Sequence, residues 1–243
     1  MMLAFSLDLN GFEPGSPIHF IAVGGCLLAT LISSGLGRRW RERQPKFERL
    51  LRIGWGVFII VTQLVTTMWW LLPQNFNWRV SLPIHICDIV AILAAVAMLA
   101  STRWVWAVLY FWGIGLSIFA FILPSLTHGP LHVEFYLFWL THVQIVGTAV
   151  YLITVRRFVP TLRDWITVEL LLTAYTLIIF PLDAAMDLNY GYIGAVDSPA
   201  RIMGPWPIRV LYMYLTQAAV LALLLAPWMF IRRGAVQGVR QPD

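Results

Sequence analysis

The segment Ser81-Leu82-Pro83-Ile84-His85-Ile86-Cys87-Asp88 brings a hydroxyl, an imidazole, a thiol and a carboxylate together in an otherwise apolar stretch. A cysteine becomes a nucleophile when a base takes its proton and leaves a thiolate. Pro83 suits the first turn of a helix, where its missing N–H is no loss, and the partial positive charge of that helix end favours a thiolate. Read as one helix, His85 and Asp88 at i and i+3 share a face, while Cys87 points about 160° away from His85. The base must then come from another helix, and His142, in Thr141-His142-Val143-Gln144, is the candidate. Cys26, beside Gly24 and Gly25, reads as inert filling.

Further polar residues fall at a comparable depth: His19, Gln63, His85, Asp88, Asp183 and Arg209, with Gln144, Tyr212, Tyr214 and Gln217 nearby. A polar group inside a bilayer is expensive and marks a functional site by default; the alternative is a set of hydrogen bonds between helices. The expectation is that His19, Gln63, His85, Cys87, Asp88, His142, Asp183 and Arg209 line or adjoin one outer cavity, with Asp88 or Asp183 paired to Arg209 or a histidine. A zinc site built from His19, His85, His142 and Asp183 is a chemical alternative. His128, His132 and Glu134 read as an ordinary polar loop, because Gly129 and Pro130 interrupt them.

The elements that must position these groups are membrane helices. Of 243 residues, 59% are hydrophobic and only 12% charged, against about 25% charged in soluble domains; mean hydropathy is +0.75. Seven apolar stretches, near 17–36, 51–72, 83–100, 103–124, 134–155, 163–187 and 207–231, are each about long enough for a helix to cross a hydrocarbon core of ~30 Å. Fourteen of the 17 cations fall on one side of a seven-pass bundle: Arg38, Arg39, Arg41, Arg43, Lys46, Arg49 and Arg52 in a basic first loop, then Arg103, Arg156, Arg157, Arg163, Arg232, Arg233 and Arg240. Only Arg79, Arg201 and Arg209 fall on the other.

The positive-inside rule then places the N-terminus outside and the C-terminus in the cytoplasm. A six-pass count breaks this alternation. The expected organisation is an all-α polytopic bundle: a short extracytoplasmic segment 1–16, a seven-helix domain 17–231 and a basic cytoplasmic tail 232–243, in the cytoplasmic membrane of a bacterium. The net charge of +5 follows from topology and gives no support to nucleic-acid binding. The single lysine, Lys46, lies outside the apolar stretches, which excludes a retinal-type Schiff base in the bundle. Two cysteines in apolar stretches make no disulfide framework, and no basic n-region marks a cleaved signal peptide.

Five separated motifs, in order over about 60–230, resemble the bacterial YwaF-type integral membrane proteins: LPIHICD, Gly113-Ile114-Gly115 with Leu123-Pro124, Thr141-His142, LNYGYI with Asn189 and Tyr190, and GPWP followed by VLYM. LPxHxCD is the most specific. YwaF-type proteins look like relatives of a eukaryotic transmembrane acyltransferase that remodels ether phospholipids through an essential cysteine. More distantly they are similar to the androgen-induced-gene/ADTRP hydrolases, which cleave fatty-acid esters of hydroxy fatty acids. The resemblance puts the nucleophile at Cys87 and the partner histidine at His142, and marks His85, Asp88, Asn189 and Tyr190 as motif positions without assigned roles. At GPWPIRV the sequence departs from the pattern, which commonly has an aromatic near Arg209.

The function expected is cleavage or transfer of a fatty acyl group from a membrane lipid ester by a Cys–His pair, through an acyl-thioester and without a metal or organic cofactor. The rival readings are a transporter or lipid-binding membrane protein without chemistry, and a metal-dependent membrane hydrolase. The sequence leaves the lipid class, the choice between hydrolysis and transfer, and the oligomeric state open.

Overall fold

The computed structural model describes residues 8–196 and 199–237. Residues 1–7, Asp197 and Arg240 lie outside the described residues, as do the side chains of Arg232 and Arg233. Every regular element among the described residues is helical: α1 (Pro17–Arg43), α2 (Pro45–Leu71), α3 (Ile86–Leu99), α4 (Arg103–Val108), a π-helical stretch Leu109–Ile114, α5 (Phe119–Ile122), α6 (Val133–Thr154), α7 (Leu162–Met186) and α8 (Ile208–Gln237), with two short 3-10 turns at Tyr190–Tyr192 and Pro199–Met203. Six spans are long and apolar enough to cross a membrane: α1, α2, the composite Arg103–Ile122, α6, α7 and the part of α8 up to Phe230. The remaining apolar helix, α3, has 14 residues, about 21 Å of rise, which is short of the roughly 20 residues a full crossing takes.

Two expectations need correction. The basic first loop is not a loop: α1 runs through Arg43 and α2 begins at Pro45, leaving Gln44 as the only break. The residue before a proline is driven out of the α region, and Gln44 sits at φ −147°, ψ 72°; Pro45 then opens α2 at the position where a missing N–H costs nothing. The third span begins three residues later than Pro83 suggests, at Ile86. By contrast, Pro181 lies inside an unbroken α7, as prolines in membrane helices can.

α6 is the central helix, packed against α1, α2, α3 and the π-helical stretch. Ile145, Ala149 and Leu152 of α6 belong to one core with Val90, Ala91 and Ala94 of α3, Leu109 and Phe111 of the π-helical stretch, and Leu221 of α8. Lipid tails are as apolar as leucine, so close backbone approach and hydrogen bonds hold such helices together. The alanines of α3 supply the approach. The hydrogen bonds run from Gln144 Nε2 to Thr62 Oγ1 (2.9 Å), from Trp55 Nε1 to Thr148 Oγ1 (3.0 Å), and from Trp228 Nε1 through Tyr110 Oη to the Leu224 carbonyl (2.9 and 2.8 Å). Gln144 is therefore a helix tie. Phe20, Leu27 and Leu31 on α1, Leu170 and Leu177 on α7, and Leu211 and Leu223 on α8 remain exposed as a lipid-facing surface.

The connecting segments collect at two ends. At one end Phe12 N–H donates to the Thr127 carbonyl (3.0 Å), Asn189 N–H to the Arg79 carbonyl (3.2 Å), and Ser125 Oγ meets Tyr192 Oη at 2.9 Å. At the other, Arg156 Nη2 donates to Ser101 Oγ (3.3 Å), and Arg103 Nε donates to Asp164 Oδ1 (3.0 Å) while that carboxylate caps α7 through Thr161. Glu48 is buried there, accepting from Arg52 Nε (2.9 Å) and Tyr151 Oη (3.1 Å) and facing Arg156 at 3.6 Å.

Candidate active site

Residues 81–85 reach α3 as irregular chain, and His85 is its N-cap at φ −63°, ψ 152°. His85 thus lies outside the helix, so its helical projection against Cys87 does not apply, and Cys87 falls on the first turn. Asp88 closes that turn: Oδ2 accepts the His85 N–H (3.2 Å) and Oδ1 accepts Gln63 Nε2 from α2 (3.3 Å). The His85 ring is fully engaged, with Nε2 donating to the Val80 carbonyl (3.2 Å) and Nδ1 accepting the Gly191 N–H (3.3 Å). The Tyr190 and Tyr192 rings lie 5.0 and 5.7 Å from it. His85 fastens the 190–192 turn over the start of α3. Irregular backbone at membrane depth persists where protein satisfies it, and this turn is satisfied in that way.

Cys87 is half-buried, with the Ser117 hydroxyl against its thiol and Asp88, Tyr175 and Tyr192 close by. Tyr175 Oη donates to the Ile84 carbonyl (3.0 Å), which ties α7 to the same turn. His142 approaches from α6. Its Nδ1 donates to the Phe138 carbonyl at 2.7 Å, which leaves the lone pair on Nε2, the tautomer a general base needs. The ring lies 4.3 Å from that of Phe138 and 6.5 Å, edge-on, from Phe121. Ser117 and Phe121 stand four residues apart, so the thiol and the imidazole adjoin successive turns of the same segment. No hydrogen bond joins the two in this state.

The other expected residues divide into two groups. His19 is spent on backbone, Nδ1 accepting the Gly15 N–H (2.9 Å) and Nε2 donating to the Phe121 carbonyl (2.9 Å), so it pins α1 to the segment that His142 also borders. Asp183, Asn189, Tyr190 and Arg209 build the cap. Tyr190 N–H donates to Asp183 Oδ1 (3.1 Å), Tyr190 Oη donates to the Trp78 carbonyl (2.7 Å) and accepts the Leu82 N–H (3.2 Å), and Asn189 Oδ1 accepts the Gly194 N–H (3.3 Å). Arg209 donates to the Gly194 and Val196 carbonyls. The expected carboxylate–Arg209 pair does not form: backbone groups take the partners, and Asp183 Oδ2 and Arg209 Nε stay buried without a hydrogen bond. In place of one shared cavity the structure has the Cys87 turn at the start of α3, His142 on α6, and a cap tied to that turn.

The zinc alternative needs its ligand nitrogens to converge, and those of His19 and His85 are turned to separate backbone groups. Among the described residues no three of His, Cys, Asp or Glu are grouped as a metal would require. The His128 and His132 rings lie 4.8 Å apart, tilted at 41°, without a third ligand among the described residues. Sequence reading missed Ser117, Tyr175 and Tyr192. A tyrosine in a membrane helix has the ordinary reading of an anchor, and the orientation of Ser117 depends on the π-helical register, which no 3.6-residue period reveals.

The fold defines a polytopic α-helical membrane protein with six helices, among the described residues, long and apolar enough to cross a membrane. The chain belongs to the TMEM164 family, whose model matches residues 15–227, from just before α1 to near the end of α8. Neither a curated protein nor a solved structure matches the chain.

Proposed function

We propose that the protein is a membrane enzyme that cleaves or transfers a fatty acyl group from a lipid ester, with Cys87 as nucleophile and His142 as general base. The observation that carries this reading is the tautomer of His142: Phe138 holds Nδ1–H and leaves Nε2 as the acceptor on the helix beside Cys87. In the reaction the Cys87 proton passes to Nε2 and the sulfur attacks the ester carbonyl. The tetrahedral adduct then collapses to a thioester as the imidazolium protonates the departing alkoxide. Water or an acceptor lipid hydroxyl, deprotonated by the same imidazole, releases the acyl group. Catalytic hydrogen bonds commonly tighten only with substrate bound, and the proton transfer calls for that closure here.

His19, Gln63, His85, Asp88, Asp183, Asn189, Tyr190 and Arg209 act in this proposal as supports of the turn, base and cap rather than as reacting groups. The family match supports a membrane protein, and the motif resemblance to YwaF-type proteins supports lipid handling. The proposed organisation remains seven crossings, counting the short α3 with its irregular outer approach. The N-terminal segment and the cap lie outside, and the Arg-rich end and tail lie in the cytoplasm of a bacterial cell.

Turnover of radiolabelled phospholipid esters by the purified protein tests the reading. Cys87→Ala is expected to abolish it, Cys87→Ser to leave little, and EDTA to have no effect. Full turnover by Cys87→Ala with inhibition by chelator would transfer the chemistry to a metal; wild type inert toward every lipid ester would favour a binding or transport protein.

A further inference from the structure

Ser117 is the polar residue against Cys87 that the scheme above leaves without work. It is 2% exposed, and its Oγ lies beside the Cys87 thiol yet completes no hydrogen bond of ordinary geometry with any group. A buried hydroxyl without a partner is costly, so its retention at this point calls for a reason. The backbone supplies a second, independent observation. The π-helical stretch Leu109–Ile114 ends with the Leu116 and Ser117 N–H groups both donating to the Trp112 carbonyl, at 3.0 and 2.9 Å. The Ser117 bond spans five residues, one more than an α-helix uses, and each residue so inserted turns the following side chains by about 100°. Such bulges occur frequently at functional sites. Here the bulge sets the Ser117 hydroxyl against the thiol.

We propose that Ser117 is a third catalytic residue, whose hydroxyl donates a hydrogen bond to Cys87 Sγ and steadies the thiolate. The inference rests on Cys87 being the nucleophile. When the thiol proton leaves for His142 Nε2, the sulfur becomes an anionic acceptor beside Ser117, while the Asp88 carboxylate is already taken by the His85 N–H and Gln63; the Ser117 O–H keeps its own proton and rotates to donate. A hydrogen bond to the charged form of a group favours that form.

The test is the alkylation rate of Cys87 by iodoacetamide in full-length protein carrying Cys26→Ala, reconstituted in lipid nanodiscs and read by mass spectrometry across pH. Near neutral pH, Ser117→Ala is expected to react about tenfold more slowly, the size of one hydrogen bond to a charged group. The gap should close at alkaline pH, and Ser117→Thr should restore the parent rate. Ser117→Gly repeats the comparison without added bulk should the alanine variant fold poorly. Equal rates for Ser117→Ala and parent at all pH values would overturn the proposal. So would a slowing that persists at alkaline pH and is not rescued by threonine, since that is the mark of lost packing. Alkylation consumes no lipid, so a wild-type protein that alkylates as expected but turns over no ester would sink the enzymatic reading while leaving the Ser117–Cys87 bond standing.

Discussion

Each imidazole in this chain is assigned its task by what its two nitrogens touch. His19 and His85 have both nitrogens on backbone groups, so neither is able to take a proton without giving up a contact that holds the chain. His142 alone among the three keeps Nε2 without a hydrogen bond while Nδ1 is held. His142→Ala is therefore expected to lose about 10²- to 10⁴-fold in lipid-ester turnover, the usual worth of general acid–base catalysis. His19→Gln should lower thermal stability and leave turnover per folded molecule within a few-fold of wild type. A steady-state assay alongside a melting curve checks both, and a His19 variant as inactive as His142→Ala would reverse the assignment. Cys26, buried with its sulfur 4.0 Å from the Trp139 carbonyl, should accept alanine with almost no change in turnover. Cys87 and His142 were singled out from residue type and depth, and their roles rest on the proposal. The backbone engagement of His19 and His85 was not legible, because each ring has a backbone partner more than one hundred residues away, the Phe121 carbonyl and the Gly191 N–H, which leaves no local trace.

The helices explain which parts of the arrangement were readable and which were not. Hydropathy located each apolar span to within several residues, but it ended α1 too early and began α2 too late, since charged residues that extend a helix beyond the bilayer look like a loop. The chain instead stays helical through Arg43, and the Arg-rich end is tied down by Glu48. With Arg52, Tyr151 and Arg156 around it, removing that carboxylate leaves two half-buried cations and a hydroxyl without their acceptor. Breaking a buried pair costs about 3 to 5 kcal/mol, so Glu48→Ala should fall toward the lower end of that range, given the partial exposure of Arg156, while Glu48→Gln falls less. Thermal unfolding in detergent measures it, and an unshifted Glu48→Ala midpoint would show that the knot contributes nothing. At the opposite end Gly194 is confined: a Cβ there would stand 1.9 Å from the Leu188 carbonyl oxygen. Gly194→Ala should loosen the cap held by Asn189 and Arg209, seen as faster proteolysis of the 187–207 segment in intact cells, whereas an unchanged cleavage rate would argue that the cap adjusts freely.

On the scale of the molecule, the proposed seven-pass topology puts fourteen of the 17 cations on one side. Cysteines introduced on the Arg38–Arg49 stretch of a Cys-free protein should resist an impermeant maleimide in whole cells, and those in 188–205 should react; the reverse pattern would invert the topology. The exposed apolar faces of α1, α7 and α8 meet lipid, and under the proposed function an ester would reach the α3 turn from within the membrane. In this reading a membrane protein built around α6 holds a thiolate-forming turn against a base, and everything else fixes their approach. Its central claim is that the acyl group passes through Cys87. Intact-peptide mass spectrometry after incubation with a defined phospholipid measures this directly. A hydroxylamine-labile fatty acyl mass on the Cys87 peptide, absent in Cys87→Ser and depleted in His142→Ala, is the predicted result; turnover of the phospholipid with Cys87 unmodified throughout would contradict it.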